Sequence, residues 1–137
     1  MKIKLLDFGL PSGFEPKRAH DNDAGADVYA TGTYIIAPNS VAKIPLGFGL
    51  ELPDGCVGFV FPRSSMAAKG LTCELPPIDS RYRGEVHAVI TNNGNEDYTV
   101  NIGDRIGQLV ILPVIIPLFS SADLDERGTG AFGSTGA

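Results

Sequence analysis

The feature that most constrains the fold is a series of short segments rich in β-branched and aromatic residues, separated by turn-forming sequences. Turn chemistry is found in Leu-Pro-Asp-Gly at 52–55 and in Asn-Asn-Gly-Asn at 92–95. Segments of this kind are typical of β-strands, and their spacing predicts a compact sandwich or barrel. The predicted strands are residues 33–37, 41–52, 57–61, 84–92, 98–101 and 105–116.

One segment departs from this pattern. Residues 64–69 read Ser-Ser-Met-Ala-Ala-Lys, in which good helix formers follow two hydroxyls that could cap a helix. We expect one short helix there. A chain of 137 residues is long enough for one hydrophobic core but too short for two. The sequence therefore predicts a single all-β domain over residues 1–137.

The net charge limits the choice of partners. At −5 it argues against a protein that holds nucleic-acid backbone, because such binding needs a basic face. A small anionic ligand stays possible, since a few arginines in one pocket outweigh an acidic surface at close range. We expect no nucleic-acid partner.

Cysteine usage and the start of the chain bear on metals and location. Cys56 and Cys73 lack the spacing of a zinc site, and with only His20 and His87 beside them they support no metal cluster or disulfide framework. Asp7 falls where a secretion signal would need apolar residues, and no apolar run is long enough to span a bilayer. We expect a soluble cytoplasmic protein without membrane contact.

The end of the chain has the composition of a phosphate-binding segment. From Arg127 it reads Arg-Gly-Thr-Gly-Ala-Phe-Gly-Ser-Thr-Gly-Ala, with glycines that let backbone amides approach a ligand closely. The Gly-Lys-Ser/Thr ending of a Walker loop is missing. Glycine-rich termini are usually disordered, and that alternative stays open. Arg127 and Phe132 favour a binding role, because a flexible tail needs neither.

Other candidates are weak when taken singly. Asp79 stands three residues before Tyr82 and could be a general base, although a turn-forming aspartate beside a partly buried tyrosine is, for this segment alone, the better explanation. Arg63 and the two serines after it suit an anion at a helix start, and an ordinary cap beside a surface arginine is the alternative. Gln108 could offer its amide to a phosphate. Asp27 lies among small residues, where a hydrated metal could approach.

Read in chain order, five segments resemble the motifs of the trimeric deoxyuridine triphosphatase (dUTPase) family. Each motif is weak alone, but five in the same order are specific, and together they cover nearly the whole chain. They are Ala-Gly-Ala-Asp at 24–27, Pro-Arg-Ser-Ser-Met-Ala at 62–67, Ile-Asp-Ser-Arg-Tyr-Arg-Gly at 78–84, Gly-Asp-Arg-Ile-Gly-Gln-Leu at 103–109 and the glycine-rich run at 127–136.

The resemblance implies a fold, an assembly and a reaction. The fold is an all-β, single-domain, β-barrel-like jelly roll with one short helix, and residues 120–137 form a flexible glycine-rich arm that closes over the active site. The assembly is a homotrimer whose sites draw on more than one subunit. The reaction is Mg²⁺-dependent hydrolysis of dUTP to dUMP and pyrophosphate by water attack at the α-phosphate. It keeps uracil out of DNA and supplies dUMP for thymidylate synthesis.

The resemblance also implies residue roles. Asp79 is expected to orient the attacking water, and Tyr82 to lie behind the deoxyribose. Magnesium is expected on phosphates and water with no direct protein ligand, Asp27 touching its hydration shell or instead supporting a subunit contact. The remaining expected substrate contacts are Arg63, Ser64, Ser65 and Gln108 for phosphate, Pro77 and Ile78 near uracil, and Arg127, Phe132, Gly133, Ser134 and Thr135 from the arm, with Phe132 over the base.

Two departures and two rival functions accompany the resemblance. Pro76 and Pro77 occupy the segment that reads uracil through backbone groups, where many relatives have glycine, and proline has no N–H to donate. Ser65 and Ala131 stand where glycine is common, and both are small enough to be tolerated. The enzymatic rival is dCTP deaminase, which is similar in fold but differs around Tyr82. The other rival is a nucleotide-binding regulatory protein without catalysis.

Overall fold

The computed structural model describes residues 1–124, which form ten short strands and one helical turn. This part of the chain confirms the prediction of an all-β fold with one short helix. The elements in chain order are β1 Lys4–Asp7, β2 Ala26–Tyr29, β3 Tyr34–Ile36, β4 Val41–Pro45, β5 Phe48–Glu51, β6 Cys56–Phe61, α1 Ser64–Ala67, β7 Leu71–Glu74, β8 His87–Asn92, β9 Tyr98–Val100 and β10 Arg105–Pro113.

The strands form four small antiparallel sheets. Two have three strands, in the orders β2-β10-β6 and β4-β8-β7, and two are pairs, β1-β5 and β3-β9. Their inner faces share one apolar core. In β8 the side chains of Ala88 and Ile90 are fully buried while their neighbours are half-buried, which is the period of two expected of a strand with one face inward.

The sequence prediction of the strands was right in composition and wrong in some boundaries. The predicted strand 41–52 is divided into β4 and β5, because Gly47 at φ 84° turns the chain between them. The strand predicted over 105–116 ends at Pro113. Strands β1, β2 and β7 were missed, because each has only four residues and mixes charged or small side chains with apolar ones.

The predicted helix is present but shorter, and its cap differs from the prediction. It spans Ser64–Ala67, and Arg63 holds the N-cap position without a side-chain capping bond. Ser64 and Ser65 therefore lie inside the helix, so the prediction that their hydroxyls cap it was wrong. A turn at residues 68–70 follows the helix and ends at Gly70, whose φ of 75° is left-handed. This single turn is far too short to cross a membrane, and residues 1–124 contain no other helix that could.

Asn92 is a buried polar residue that joins three parts of the core. Only 1% of it is exposed. Its side-chain amide donates to the Ile36 carbonyl at 2.9 Å and to the Glu96 carbonyl at 2.8 Å, while its oxygen accepts from the Gly94 N–H at 2.9 Å. All the hydrogen-bonding capacity of the amide nitrogen is thus used. Asn92 ties the end of β8 to β3 and to the loop before β9.

Replacing Asn92 with alanine is expected to lower the free energy of unfolding by about 3 kcal/mol, because it leaves buried backbone groups without partners. Urea unfolding followed by circular dichroism measures the change. Asn95→Ala is the matched control on the exposed part of the same loop and is expected to change stability by less than about 0.5 kcal/mol. Equal effects of the two variants would contradict the role assigned to Asn92.

Candidate active site

The segment that carries Asp79 begins at a fixed point on β6. Ile78 exchanges two backbone hydrogen bonds with Gly58, donating at 2.8 Å and accepting at 3.0 Å. A side chain at Gly58 would meet the Ile78 Cβ at 3.4 Å and the Ile111 Cδ1 at 3.3 Å, so the approach leaves little spare room. The backbone on the N-terminal side of Asp79 is therefore held against the sheet, while Asp79 itself lies outside it.

Tyr82 lies in the same turn as Asp79. Its N–H donates to the Asp79 carbonyl at 3.1 Å, and its hydroxyl donates to the Glu85 carbonyl at 2.9 Å. The ring covers Gly84, where an added Cβ would lie 2.5 Å from the Tyr82 Cζ. With 44% of the residue exposed, the ring is bound at its polar end and open on its face. A carboxylate and an aromatic wall thus come together over four residues.

Side chains from the turn hold it by contacts with Asp54 and with the turn's own backbone. The Ser80 hydroxyl donates to the Asp54 carboxylate at 3.3 Å, and Arg81 lies 3.9 Å from the same oxygen. Arg83 folds back to donate to the Ser80 carbonyl at 2.6 Å. The ion pair is exposed on both sides and contributes little to stability, so the short backbone contact of Arg83 is the more effective closure.

A cavity opens where the β7-β8 ladder ends. Its last register pair is Glu74 with Val89, and beyond it the two strands separate around the turn. The predicted residues Pro77, Ile78, Asp79 and Tyr82 all line this cavity, and the structure therefore brings these four together. The other lining residues are Lys43, Val60, Glu74, Pro76, Glu85, Val86, His87 and Val89.

The residues that line this cavity differ in hydrogen-bonding capacity. Pro76 and Pro77 have no N–H, so backbone donors are absent at both positions. Lys43 on β4 and His87 on β8 also line the cavity, and both carry side-chain nitrogens. Sequence reasoning missed Lys43, Glu74, Glu85 and His87. The alternation of residues along β4 and β8 was the available signal for the face on which these side chains lie, whereas the pairing of Lys43 with Val89 is seen only in the structure.

A second group of predicted residues lies on the outer face of the β2-β10-β6 sheet. Asp27 and Gln108 are register partners, and Asp27 lies 3.7 Å from the Arg105 guanidinium. Gln108 covers Gly25, where an added Cβ would be 2.9 Å from its amide oxygen. Glycine is therefore needed at position 25 for Gln108 to keep this place. The ion pair gives Asp27 a structural partner within its own subunit.

Arg63 reaches the same region from the helix. Its guanidinium donates to the Arg105 carbonyl at a long 3.5 Å. Arg63 and Ser65 line a second cavity together with the side chains of Lys69 and Arg105, whereas Ser64 is exposed beside it. Three cationic side chains and one carboxylate, that of Asp104, line this opening, and the excess of positive charge suits an anion.

The two cavities have no lining residue in common. The predicted residues thus divide into a turn group with Asp79 and Tyr82 and a sheet group with Arg63, Ser65, Asp27 and Gln108. The predicted arm residues Arg127, Phe132, Gly133, Ser134 and Thr135 lie outside the described part of the chain. Between residues 1 and 124, no three His, Cys, Asp or Glu side chains converge as a metal-binding cluster.

Cys73 lies on β7, directly before the cavity. Burial raises the pKa of its thiol to about 11, and the neighbouring Glu74 carboxylate acts in the same direction. The side chain packs against the apolar core. A thiol with this pKa is almost entirely protonated at neutral pH, which makes it a poor nucleophile.

Alkylation of Cys73 by iodoacetamide is expected to be slow at about pH 8, where about one thiol in a thousand is ionised. The rate should rise about tenfold for each pH unit towards the pKa. Mass spectrometry of the alkylated peptide measures it. Protein unfolded in urea is the control and should react far faster. Equal rates in folded and unfolded protein would contradict the raised pKa.

Comparison with known proteins identifies the class. A family model described as dUTPase matches residues 14–136. A deoxyuridine 5'-triphosphate nucleotidohydrolase of Tropheryma whipplei (strain Twist) is 40% identical over 143 residues, covering 99% of this chain and 96% of that protein. Its counterpart in Desulfitobacterium hafniense (strain DSM 10664 / DCB-2) is 46% identical over 130 residues, covering 88% and 86%.

Solved structures agree in fold. A dUTPase from phage phi11 of S. aureus, studied for its structural Mg(II) ion, has a TM-score of 0.83 at 24% identity, covering 92% of this chain and 99% of that one. A Staphylococcus bacteriophage 80alpha dUTPase with dUpNHpp has a TM-score of 0.82 at 25% identity and covers 99% of both chains. The chain belongs to the dUTPase family, and the predicted jelly-roll-like β fold is confirmed.

Proposed function

We propose that this chain hydrolyses dUTP to dUMP and pyrophosphate, with Asp79 as the general base. The observation that carries the proposal is the anchored turn that holds Asp79 and Tyr82 together at one cavity, in a chain of the dUTPase family. Among the described residues, no hydrogen bond or ion pair engages the Asp79 carboxylate, and Asp79 is exposed beside the cavity, so a water can reach it. The cytoplasm is the location we expect for this enzyme.

The proposed step is an attack of water on the α-phosphorus. Asp79 takes one proton from the water as its oxygen bonds to phosphorus, and pyrophosphate leaves with the electrons of the broken P–O bond. The turn supplies the position, because Ile78 is fixed to β6 and Tyr82 is fixed to Glu85. Positioning of this kind accounts for a large part of the rate in phosphoryl transfer.

Phosphate binding is assigned to the sheet group and the arm. Arg63, Ser64, Ser65 and Gln108 would neutralise and hold phosphate oxygens, supported by the cationic opening that Arg63 shares with Lys69 and Arg105. The arm would add further contacts at the triphosphate and the base. Its proposed members are Arg127 at the terminal phosphate, Phe132 over uracil, and Gly133, Ser134 and Thr135 around the phosphates.

Magnesium is the proposed cofactor. The phage phi11 dUTPase is described with a structural Mg(II) ion. Mg²⁺ keeps several waters and is commonly bound through substrate phosphates, where it neutralises charge. The residues of this chain fit that mode: Asp27 is half-buried and lies a loose 3.7 Å from Arg105, so its carboxylate retains acceptor sites for a water of the hydration shell.

We also propose a homotrimer with shared active sites. The two groups line cavities with no residue in common, and the proposed reaction needs both groups at one dUTP, which supports a site built from two subunits. A second support is the apolar segment after β10, in which Ile115 is 85%, Leu118 100% and Phe119 92% exposed. Exposed apolar side chains in succession indicate a protein partner, and a second copy of the chain is the occupant that the shared site requires.

Asp79→Asn is expected to lower kcat for dUTP by about 10²–10⁴-fold, because the amide cannot accept the proton. The KM should change little. Chromatographic separation of dUTP, dUMP and pyrophosphate measures the rate, and dCTP in parallel reactions tests for deamination. Wild-type turnover in the variant would exclude Asp79 as the base. Release of ammonia from dCTP would overturn the proposed reaction.

Mixing two inactive variants is expected to restore activity. Asp79→Asn lacks the base, and a chain ending at Glu126 lacks the arm but keeps the whole buried core described above. If Asp79 and the arm at one site come from different subunits, roughly a quarter of the sites in trimers assembled at random from equal amounts are fully wild type.

Co-expression with two affinity tags isolates the mixed assemblies, and light scattering gives their mass. Each variant alone is the control for residual turnover. Mixed trimers without recovered hydrolysis would contradict shared sites, and an assembly of another mass would contradict the trimer.

A further inference from the structure

Glu85 contacts three separate parts of the turn region. Its carboxylate accepts from the Gly47 N–H at 2.9 Å, across 38 residues of sequence. Its backbone carbonyl accepts from the Tyr82 hydroxyl at 2.9 Å and lies 3.0 Å from His87 Nδ1. A carbonyl can only accept, so Nδ1 of His87 carries the hydrogen in this contact. Glu85 thus joins the turn between β4 and β5 to the ring of Tyr82.

The donor at Gly47 is itself fixed. Gly47 has a φ of 84°, and an added Cβ would lie 3.2 Å from the Leu10 Cα and from the Thr31 Cγ2. Backbone hydrogen bonds on both sides of Gly47 also join this turn to Val86. The Leu46 N–H donates to the Val86 carbonyl at 3.0 Å, and the Val86 N–H donates to the Phe48 carbonyl at 2.8 Å. The carboxylate of Glu85 therefore binds a rigid point of the scaffold.

Gly84 fixes the ring from the other side. The Tyr82 ring lies against one side of Gly84, and the Gly84 carbonyl lies so close to β5 that an added Cβ at Gly49 would be 2.6 Å from it. The main chain from 84 to 86 is thus held between β5 and the ring. A shift of this chain moves the carbonyl that holds the Tyr82 hydroxyl, and the ring must move with it.

We propose that Glu85 is a positioning residue that sets the place of the Tyr82 ring and, through it, the preference for deoxyribose over ribose nucleotides. This rests on the proposed function and on the position behind the deoxyribose that the family resemblance implies for Tyr82. Rejection of one extra hydroxyl by contact needs a wall that does not yield. The bond from Glu85 to Gly47 and the bond from Tyr82 to the Glu85 carbonyl supply that stiffness.

The test compares Glu85→Ala with Glu85→Gln by kcat/KM for dUTP and for UTP. Glu85→Ala removes the acceptor, and the ratio of dUTP to UTP is expected to fall about tenfold. Glu85→Gln keeps an amide oxygen that can accept from Gly47, so it should retain most of the ratio. Glu51→Ala, at an exposed glutamate of β5, is the matched control and should leave the ratio unchanged.

Gly84→Ala tests the same inference without touching Glu85. Position 84 has no left-handed φ, so alanine suits the backbone and only the ring must give way. The same fall in ratio is expected, with a thermal midpoint near that of wild type. Because both changes act on one ring, the double variant Glu85→Ala with Gly84→Ala should be no less selective than the worse single variant.

A wild-type ratio in both Glu85→Ala and Gly84→Ala would overturn the proposal, and so would a fall in Glu85→Gln as large as in Glu85→Ala. Failure of the proposed function gives a different result, because the wild-type protein would then not hydrolyse dUTP. In that case the affinities for dUDP and UDP, measured by calorimetry without any turnover, test the positioning role. Wild type should bind dUDP more tightly than UDP, and Glu85→Ala and Gly84→Ala should lose this difference. A wild-type protein that binds the two nucleotides equally would refute the proposal.

Discussion

The arrangement of the sheet group depends on a bulge in β10. Its pairing with β2 shifts register between Arg105 and Gly107, and Ile106 and Gly107 are both buried in succession. The extra residue reverses the alternation, so that Gln108 faces outward opposite Asp27. Without it, Gln108 would point into the core. Glycine is needed here because an added Cβ at 107 would lie 2.7 Å from Val60 Cγ1.

The same strand connects the two groups of the candidate site. β10 pairs with β2 on one edge and with β6 on the other, and β6 in turn holds Ile78 through Gly58. A displacement of β10 would therefore reach both Gln108 and the backbone beside Asp79. The sheet group, proposed to bind phosphate, and the turn that holds Asp79, the proposed base, are thus both attached to β10, directly or through β6.

Local chemistry could be predicted from the sequence, and long-range contacts could not. The β-branched segments predicted most strands, and Asp79 and Tyr82 were expected together because only two residues separate them in the chain. The bond between Glu85 and Gly47 spans 38 residues and that between Asn92 and Ile36 spans 56. No local pattern encodes such pairs, because they arise only when separate sheets pack. For the same reason the short strands β1, β2 and β7, which are defined by their partners, were missed.

The close packing around Gly84 bears on how this sequence can change over generations. A side chain at 84 collides with the Tyr82 ring, and one at 49 collides with the Gly84 carbonyl. A single substitution at either site therefore forces a neighbouring atom to move, even where the new residue suits the strand or turn by itself. A lineage that replaces the tyrosine with a smaller residue would release position 84 in the same step. Positions 82 and 84 should then vary together, whereas position 49, which is blocked by a backbone carbonyl, stays glycine whatever residue occupies 82.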